Sequence, residues 1–375
     1  MQASPIHASN YAHSIRSTAV GEQRLTHSEK HRRTCLAIRC LGLLFGLPVL
    51  SSTALAATSN VDVYGSITFG GFSAYDTTLF ESGLGTRYAG LATPNLALNG
   101  AHHRSLLTLK NAQENAGSCM WGTADFSQSQ DAHTYLAELG VCKDVGAARI
   151  GVGLGHTESA LDRSLGGKSS STGNYLIAEW ASPVGRNLEA SVTGLYGNFD
   201  AKHRRNYING LAVDSSVGQA DARSTALRLK LDWRDAATLG HHAISPYVAY
   251  SWSETKQDAY TEIGGGLPQS FASQTWQGRD IRIGAASRLA LTANTELHLA
   301  ASAIHVLSEN SIEVTGSGFN LLGKIAASNR IGLSLDIDHH LAPRTVWSTG
   351  FGAASGLNSD NDWVWGVTTG IRADF

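Results

Sequence analysis

The sequence lacks a hydrophobic run long enough to form a transmembrane helix. The apolar stretch from Leu41 to Leu50 is too short to cross a bilayer, and no later segment approaches the required length of about 20 residues. If the protein spans a membrane, it must therefore do so as a closed barrel. The composition agrees, because 40 glycines and eight tryptophans against only two methionines favour strands and turns.

An excess of basic residues is also missing. Residues 1–56 carry six Lys or Arg and two Asp or Glu, so that 23 of the 29 basic residues and 29 of the 31 acidic residues follow them. The net charge of that remainder is −6, which gives no support to a nucleic-acid partner.

Catalytic motifs are absent as well. The sequence contains no G-x-S-x-G motif and no convincing spacing of a nucleophile and a base. Adjacent histidines on extended backbone point in opposite directions, which argues against a metal site. Asp336, Asp338 and His298 would face a lumen, but a wet lumen needs charge in any case. We expect no enzyme activity, no metal and no cofactor.

Residues 1–56 have the pattern of a secretory signal peptide. Arg32, Arg33 and Arg39 precede the apolar run, and a small-residue stretch with an A-x-A site ending at Ala56 follows it. We predict export by the general route and cleavage between Ala56 and Ala57.

From Cys119 onward, segments of roughly ten residues alternate between apolar and polar side chains, as barrel strands do. In the sixth segment, for example, Leu227 and Leu229 share one face and Arg228 and Lys230 share the other. The twelve predicted strands are residues 119–128, 133–142, 147–157, 173–182, 187–198, 223–233, 244–255, 279–289, 294–306, 328–338, 345–356 and 363–375.

The connections distinguish a membrane barrel from a soluble sandwich, which alternation alone does not. Apart from the first connection, long and short ones alternate along the chain. The long ones are residues 158–172, 199–222, 256–278 and 307–327, and the short ones are 143–146, 183–186, 290–293 and 339–344. An even-stranded barrel with both ends in the periplasm has short turns inside and long loops outside. We predict an all-β fold, a transmembrane antiparallel β-barrel of 12 strands over residues 119–375.

Only two cysteines, Cys119 and Cys142, follow the predicted leader. An exported chain with one pair of thiols most simply forms one disulfide. The two are symmetric about the first predicted hairpin turn near Gln130 and Asp131, so antiparallel register would place them opposite each other. We predict a disulfide that joins the first two strands; two unpaired buried thiols are the alternative.

The last segment alternates in the same way. Trp363, Trp365, Val367, Ile371 and Phe375 share one face, which suits lipid, while the other face carries charge, hydroxyl groups and glycine and suits a wet lumen.

These segments together resemble a known family, the β-domains of autotransporters, the type V secretion systems of Gram-negative bacteria. The resemblance covers roughly residue 100 to the end of the chain. It is most specific in the stretches "GAHHRSLLTLKNA", "ISPYVAYSWSETKQDAYTEIGGG", "GRDIRIGAASRL" and "SDNDWVWGVTTGIRADF".

The resemblance implies a monomeric barrel in the outer membrane that exports or anchors an N-terminal passenger, with a helical linker threading its lumen. It implies contacts with outer-membrane lipids and lipopolysaccharide, with periplasmic chaperones and with the outer-membrane assembly machinery. The aromatic-ended strand with Trp363, Trp365, Val367, Ile371 and Phe375 is similar to the C-terminal signal that this machinery reads.

The sequence departs from the family between the leader and the first strand. Residues 57–118 are too few for a β-helical passenger or an enzyme domain, so we expect a vestigial passenger and the lumen linker there. The segment from His102 to Ala116 is the best candidate for the lumen helix, because it has acceptable helix formers and no proline or glycine. The alternatives are a free-standing barrel without passenger, acting as a narrow pore or as an adhesin through its loops.

Overall fold

The computed structural model describes residues 61–62, 65–68, 73–103, 117–129, 131–307, 311–325, 329–357 and 363–375. The chain divides into two units, Met1–Ala56 and Ala57–Phe375, and all described residues belong to the second unit. The predicted leader and its cleavage site at Ala56 and Ala57 lie outside the described residues.

Twelve long strands form a wall in which each strand pairs antiparallel with its neighbours along the chain. The strands are β1 (Ser118–Gln128), β2 (Ala132–Val145), β3 (Ala148–Asp162), β4 (Lys168–Gly185), β5 (Leu188–Asn209), β6 (Ala212–Trp233), β7 (His242–Gln257), β8 (Gln274–Thr292), β9 (Thr295–Val306), β10 (Asn329–Ala342), β11 (Thr345–Gly356) and β12 (Trp363–Asp374).

The last strand pairs with the first, which closes the wall into a barrel. The register between β12 and β1 runs from Trp365 opposite Gln128 to Asp374 opposite Cys119. This closure confirms the predicted 12-stranded antiparallel barrel and excludes a two-sheet sandwich, in which two sheets remain open at their edges.

The two faces of the wall differ as the period of two requires. On β12 the side chains of Trp363, Trp365, Val367 and Ile371 are exposed on the outer surface, whereas Arg372 is buried in the lumen. The predicted lipid face is therefore the outer face of the barrel.

Several predicted long loops are extensions of strands. Residues 199–222 belong almost entirely to β5 and β6, which pair as far as Asn209 opposite Ala212. Their inner face is polar, since His203 and Arg205 are buried there. Polar residues on both faces remove the apolar–polar alternation that identifies a strand in lipid. This is why residues 199–222 were predicted as a loop.

The two ends of the barrel differ in their connections. One end, the short-turn end, holds the tight turns, for example between β2 and β3. The other, the long-connection end, holds the connections from β7 to β8 and from β9 to β10.

Six short strands at the long-connection end form a second sheet, here called the cap sheet. In spatial order they are Val61–Asp62, Gly65–Thr68, Phe319–Ile325, Ser311–Gly316, Ser270–Phe271 and Tyr260–Thr261. One further short strand, Ala237–Leu239, pairs with β7 at the short-turn end.

Two helices and a 3-10 turn precede the barrel: α1 (Ala74–Gly83), α2 (Gly85–Asn99) and Ala101–His103. A second 3-10 turn, Ser164–Gly166, lies between β3 and β4. Both α1 and α2 lie upstream of the segment that was predicted as the lumen helix. Of the segment predicted from His102 to Ala116, only His102 and His103 are described. No helix in the described part of the chain is both long and apolar enough to cross a membrane.

Cys119 and Cys142 are direct partners in the register of β1 and β2, with Cα atoms 4.8 Å apart, and the structure joins them by an S–S bond. Both side chains are buried beside Trp121. The disulfide links β1, the strand that pairs with β12 to close the barrel, to its neighbour β2.

We predict that the purified barrel contains this disulfide and loses stability when it is reduced. Closing a loop with a sequence separation of 23 residues should stabilise the fold by about 3 kcal/mol. Urea unfolding in detergent with and without dithiothreitol measures this difference. The variant C119S/C142S should unfold at the reduced midpoint in both conditions; an identical midpoint for oxidised wild type would contradict the prediction.

Candidate functional site

The lumen is the candidate site, and helix α2 fills much of it. The helix packs against strands β2 to β8. Its 15 residues give it a length of about 22 Å, most of the thickness of a membrane core. The chain enters through α1, whose start is fixed by a capping box in which the Asp76 amide donates to Ser73 Oγ (3.1 Å) and the Ser73 amide donates to Asp76 Oδ2 (3.2 Å).

Glycines let α2 approach the wall closely. A Cβ at Gly90 would lie 2.3 Å from Thr255 Cγ2, and one at Gly85 would lie 2.3 Å from His203 Nδ1. No larger residue fits at either position without moving the wall. The glycines that weaken the helix locally are thus what allows it to fit into the lumen.

Wall hydroxyl groups bind the backbone of α2 at this contact. Thr255 Oγ1 and Ser224 Oγ donate to the carbonyl of Gly90 at 2.7 and 3.2 Å. One turn further on, the hydroxyl groups of Thr93 and Thr157 lie 3.3 Å apart. The polar lumen face of the barrel therefore provides direct partners for the helix.

Charged side chains hold the C-terminal end of α2. The buried Arg228 of β6 donates to the carbonyls of Leu98 and of His102, the latter at 2.8 Å. A cation is favourable here because the carbonyls of the last helical turn carry partial negative charge. Asp125 of β1 accepts from the backbone amide of Ala101 at 3.0 Å.

His102 lies between two carboxylates in the buried interior. Its Nε2 is 2.8 Å from Glu138 Oε1 and its Nδ1 is 3.1 Å from Glu179 Oε2. An ionised carboxylate only accepts hydrogen bonds, so both ring nitrogens must donate and the imidazole carries a positive charge. Glu138 also accepts from Trp121 Nε1 at 2.8 Å and from the Tyr175 hydroxyl at 3.0 Å.

The opposite end of the helical segment is held mainly by apolar contact. Leu79 and Phe80 of α1 pack in a cluster with Phe271, Trp276 and Val314 from the cap sheet and β8. This cluster joins α1 to the cap sheet.

Polar contacts flank the apolar cluster. Glu81 accepts from the Ser164 hydroxyl at 2.7 Å, and a buried ion pair joins Arg205 Nη2 to Glu262 Oε2 at 2.7 Å. The Arg205 guanidinium also lies over the ring of Tyr207, 4.4 Å from its centroid.

The far side of the lumen is less filled. A cavity of about 200 Å³ lies between α2 and the part of the wall formed by β8 to β12 and β1, lined by Asn95, Asp336 and many small residues. Arg282 crosses it and donates to Asn95 Oδ1 at 2.5 Å.

The lumenal histidine and acids considered in the sequence come together near the short-turn end. His298 Nε2 lies 3.1 Å from Asp338 Oδ2, and Asp336 lies opposite His298 in the register of β9 and β10. Within the described ranges, no group of three or more His, Cys, Asp or Glu side chains is arranged to hold a metal ion.

The residues predicted for the C-terminal signal all share the outer face of the barrel, with Phe375 at its short-turn end. The lumen contacts of Glu138, Glu179 and Arg228 were not predicted as a site. The alternation of apolar and polar residues along each strand predicts that these side chains face the lumen. It does not identify residues 74–103 as the segment that they contact.

We predict that Glu138→Gln destabilises the folded barrel by about 3 kcal/mol or more, because it breaks a buried ion pair and leaves His102 charged without a full partner. Glu158→Gln, which alters an exposed carboxylate near His156, should cost less than about 1 kcal/mol. Chemical unfolding followed by tryptophan fluorescence measures both, and equal losses would contradict the assignment. The double variant H102Q/E138Q should recover part of the loss.

We also predict that Gly90→Val pushes α2 away from the wall, at a cost of about 1–3 kcal/mol, and opens the lumen. Single-channel conductance in planar bilayers should be low for wild type and higher for G90V. The double variant G90V/T255G, which removes the colliding side chain, should return toward the wild-type value. Gly117→Val is the control, since a Cβ there meets nothing within 4 Å; the same conductance for G90V and G117V would refute the close-packing argument.

Comparison with known proteins agrees with this architecture. The model of the autotransporter beta-domain family matches residues 112–354, more than half of the chain. No curated protein sequence matches the chain.

Two solved structures show the same fold. The translocator domain of autotransporter NalP from Neisseria meningitidis has 14% sequence identity and a TM-score of 0.59, with 80% of this chain and 98% of that chain covered. The β-domain of the Bordetella autotransporter BrkA has 15% identity and a TM-score of 0.51, with 69% and 99% covered. The chain belongs to the autotransporter β-domain family, and its barrel is an outer-membrane barrel of the autotransporter type.

Proposed function

We propose that this protein exports its short N-terminal segment through its own barrel and anchors that segment at the cell surface of a Gram-negative bacterium. The path of the segment carries the proposal. Gly65–Thr68 pairs with Phe319–Ile325 at the long-connection end, whereas His102 lies beside Trp121, near the start of β1. Residues 73–101, which lie between these two points in the sequence, therefore run along the lumen.

The long-connection end should face outward. Ser118 and Phe375 exchange backbone hydrogen bonds of 3.1 and 2.9 Å at the short-turn end. If both ends of the barrel domain stay in the periplasm, as in outer-membrane barrels of this kind, the cap sheet and residues 61–68 are outside the cell.

The proposal includes a division of the chain and a route to the membrane. Residues 1–56 act as a signal peptide cleaved between Ala56 and Ala57, residues 57–118 form the vestigial passenger and lumen linker, and residues 119–375 form the barrel. Periplasmic chaperones deliver the unfolded chain, and the outer-membrane assembly machinery reads the outer face of β12, including Trp365 and Phe375. The inserted barrel is monomeric and contacts lipids and lipopolysaccharide.

The alternatives account for fewer observations. A free-standing pore has no need of α2, which occupies the lumen and is held there by Arg228, or of His102 after it, which Glu138 binds. An adhesin acting through its loops leaves the same helices unexplained. Barrels of this family are transport structures, and the expectation that this one has no enzyme activity remains a prediction.

The test is the location of the N-terminal segment on intact cells. Epitope tags are placed after Asn60, in the turn between β5 and β6 after Gly210, and, as a control, in the turn between β4 and β5 after Arg186. We expect antibody and protease to reach the first two tags and not the third. A visible tag at Gly210 with a hidden tag after Asn60 would remove the export claim and leave a plugged barrel. Access to the Arg186 tag alone would reverse the orientation.

A further inference from the structure

Positive charge without an ion pair lies on the outer face of the barrel, just beyond its apolar band toward the long-connection end. It is carried by Arg223 of β6 and Lys256 of β7, both exposed and here called the basic patch; the exposed Arg279 of β8 lies two rows closer to the membrane, opposite Trp252. The strand registers place these residues on three adjacent strands. The patch is not recognisable in the sequence, because its members are more than 20 positions apart.

The two members of the patch face each other directly. Arg223 and Lys256 are partners in the register of β6 and β7, so their Cβ atoms are about 5 Å apart. Like charges in this position destabilise a sheet. Neither side chain makes an ion pair or a side-chain hydrogen bond among the described residues. An anion between them would turn this repulsion into attraction.

Neutral donors flank the pair in the same row. Asn198 of β5 is the partner of Arg223, and Thr275 of β8 is the partner of Lys256. The row therefore presents an amide, a guanidinium, an ammonium and a hydroxyl group on four neighbouring strands. Such a row of donors matches the several oxygens of a phosphate group.

Carboxylates border the patch on both sides without forming an ion pair with it among the described residues. Glu254 lies one row toward the membrane and accepts from Gln277 Nε2 at 2.8 Å, while Arg279 Nη2 donates to Gln277 Oε1 at 2.5 Å. Asp200, Asp221 and Asp258 lie one row further out; Asp200 is opposite Asp221, and the Asp258 amide donates to the Asp221 carbonyl at 2.8 Å. They border the patch on its watery side and make no ion pair with Arg223 among the described residues.

An apolar surface continues from the patch into the membrane band. Two rows below Arg223 and Lys256 are Leu227 and Trp252, and the next row holds Leu229 and Tyr250. Aromatic side chains at this level are typical of the boundary between acyl chains and headgroups. On the opposite side of the barrel, the described residues of strands β9 to β12 place no exposed Lys or Arg beyond the apolar band.

We propose that the basic patch binds a phosphate group of an outer-leaflet glycolipid, with the sugar phosphate between Arg223 and Lys256 and the acyl chains against Leu227 and Trp252. The choice of a lipid over a free phosphate follows from the position of the charges directly above an apolar surface. The assignment to the outer leaflet rests on the proposed function, which sets the orientation of the barrel.

The experiment measures lipid binding by the full-length mature protein in phosphatidylcholine vesicles. Energy transfer from the protein's tryptophans to dansyl-labelled lipid A reports association, and bisphosphorylated lipid A is compared with the same lipid after removal of its phosphates. We expect wild type to prefer the phosphorylated lipid. The variant R223Q/K256Q should lose about tenfold in affinity for it, since hydrogen bonds to charged groups contribute on this scale.

The matched control is K143Q/R344Q, which removes two exposed cations at the short-turn end and should leave the preference intact. The heat-dependent gel mobility of each variant verifies that the barrel is folded. Equal affinity of R223Q/K256Q and wild type, or equal binding of both lipids by wild type, would overturn the proposal. The surface tags report separately on the proposed function: reversed tags with phosphate-dependent binding would keep the site and move it to the other leaflet.

Discussion

The pairing of β12 with β1 is the interaction on which the rest of this structure depends. Ten residue pairs, from Trp365–Gln128 to Asp374–Cys119, close the ladder. Without them the edges of two strands would leave amides and carbonyls without partners in hydrocarbon, at several kcal/mol for each group. The Cys119–Cys142 bond lies at this seam and ties the closing strand to β2.

Closure also fixes the width of the lumen. The polar side chains that line it then need hydrogen-bond partners, either water or another part of the chain. The two ends of the helical segment are held by different chemistry. At the cap sheet, Phe80 and Val314 belong to an apolar cluster, whereas at the other end Arg228 and Glu138 hold backbone carbonyls and a charged imidazole. Buried charges favour one register of the helix over its alternatives, because a shift by one turn would separate each from its partner.

The sequence was sufficient for the wall of the barrel and insufficient for what fills it. A period of two, as in Leu227 and Leu229, identifies a strand in lipid from its own residues, and the symmetry of Cys119 and Cys142 gives the first register. Helix α2 was not predicted, because Gly85, Gly90 and Pro94 score against a helix locally. Their use becomes apparent only from the wall beside them, which is encoded more than 60 residues later.

Contacts with the barrel stabilise the short segment that precedes it. Gly65–Thr68 extends the cap sheet, Leu79 and Phe80 complete its apolar cluster, and α2 occupies the lumen. Each of these contacts buries surface that the barrel alone would leave exposed to water. A segment this short cannot form an independent core, so its stability comes from the barrel through which it passes. What the protein exports in our proposal is therefore a part of its own fold.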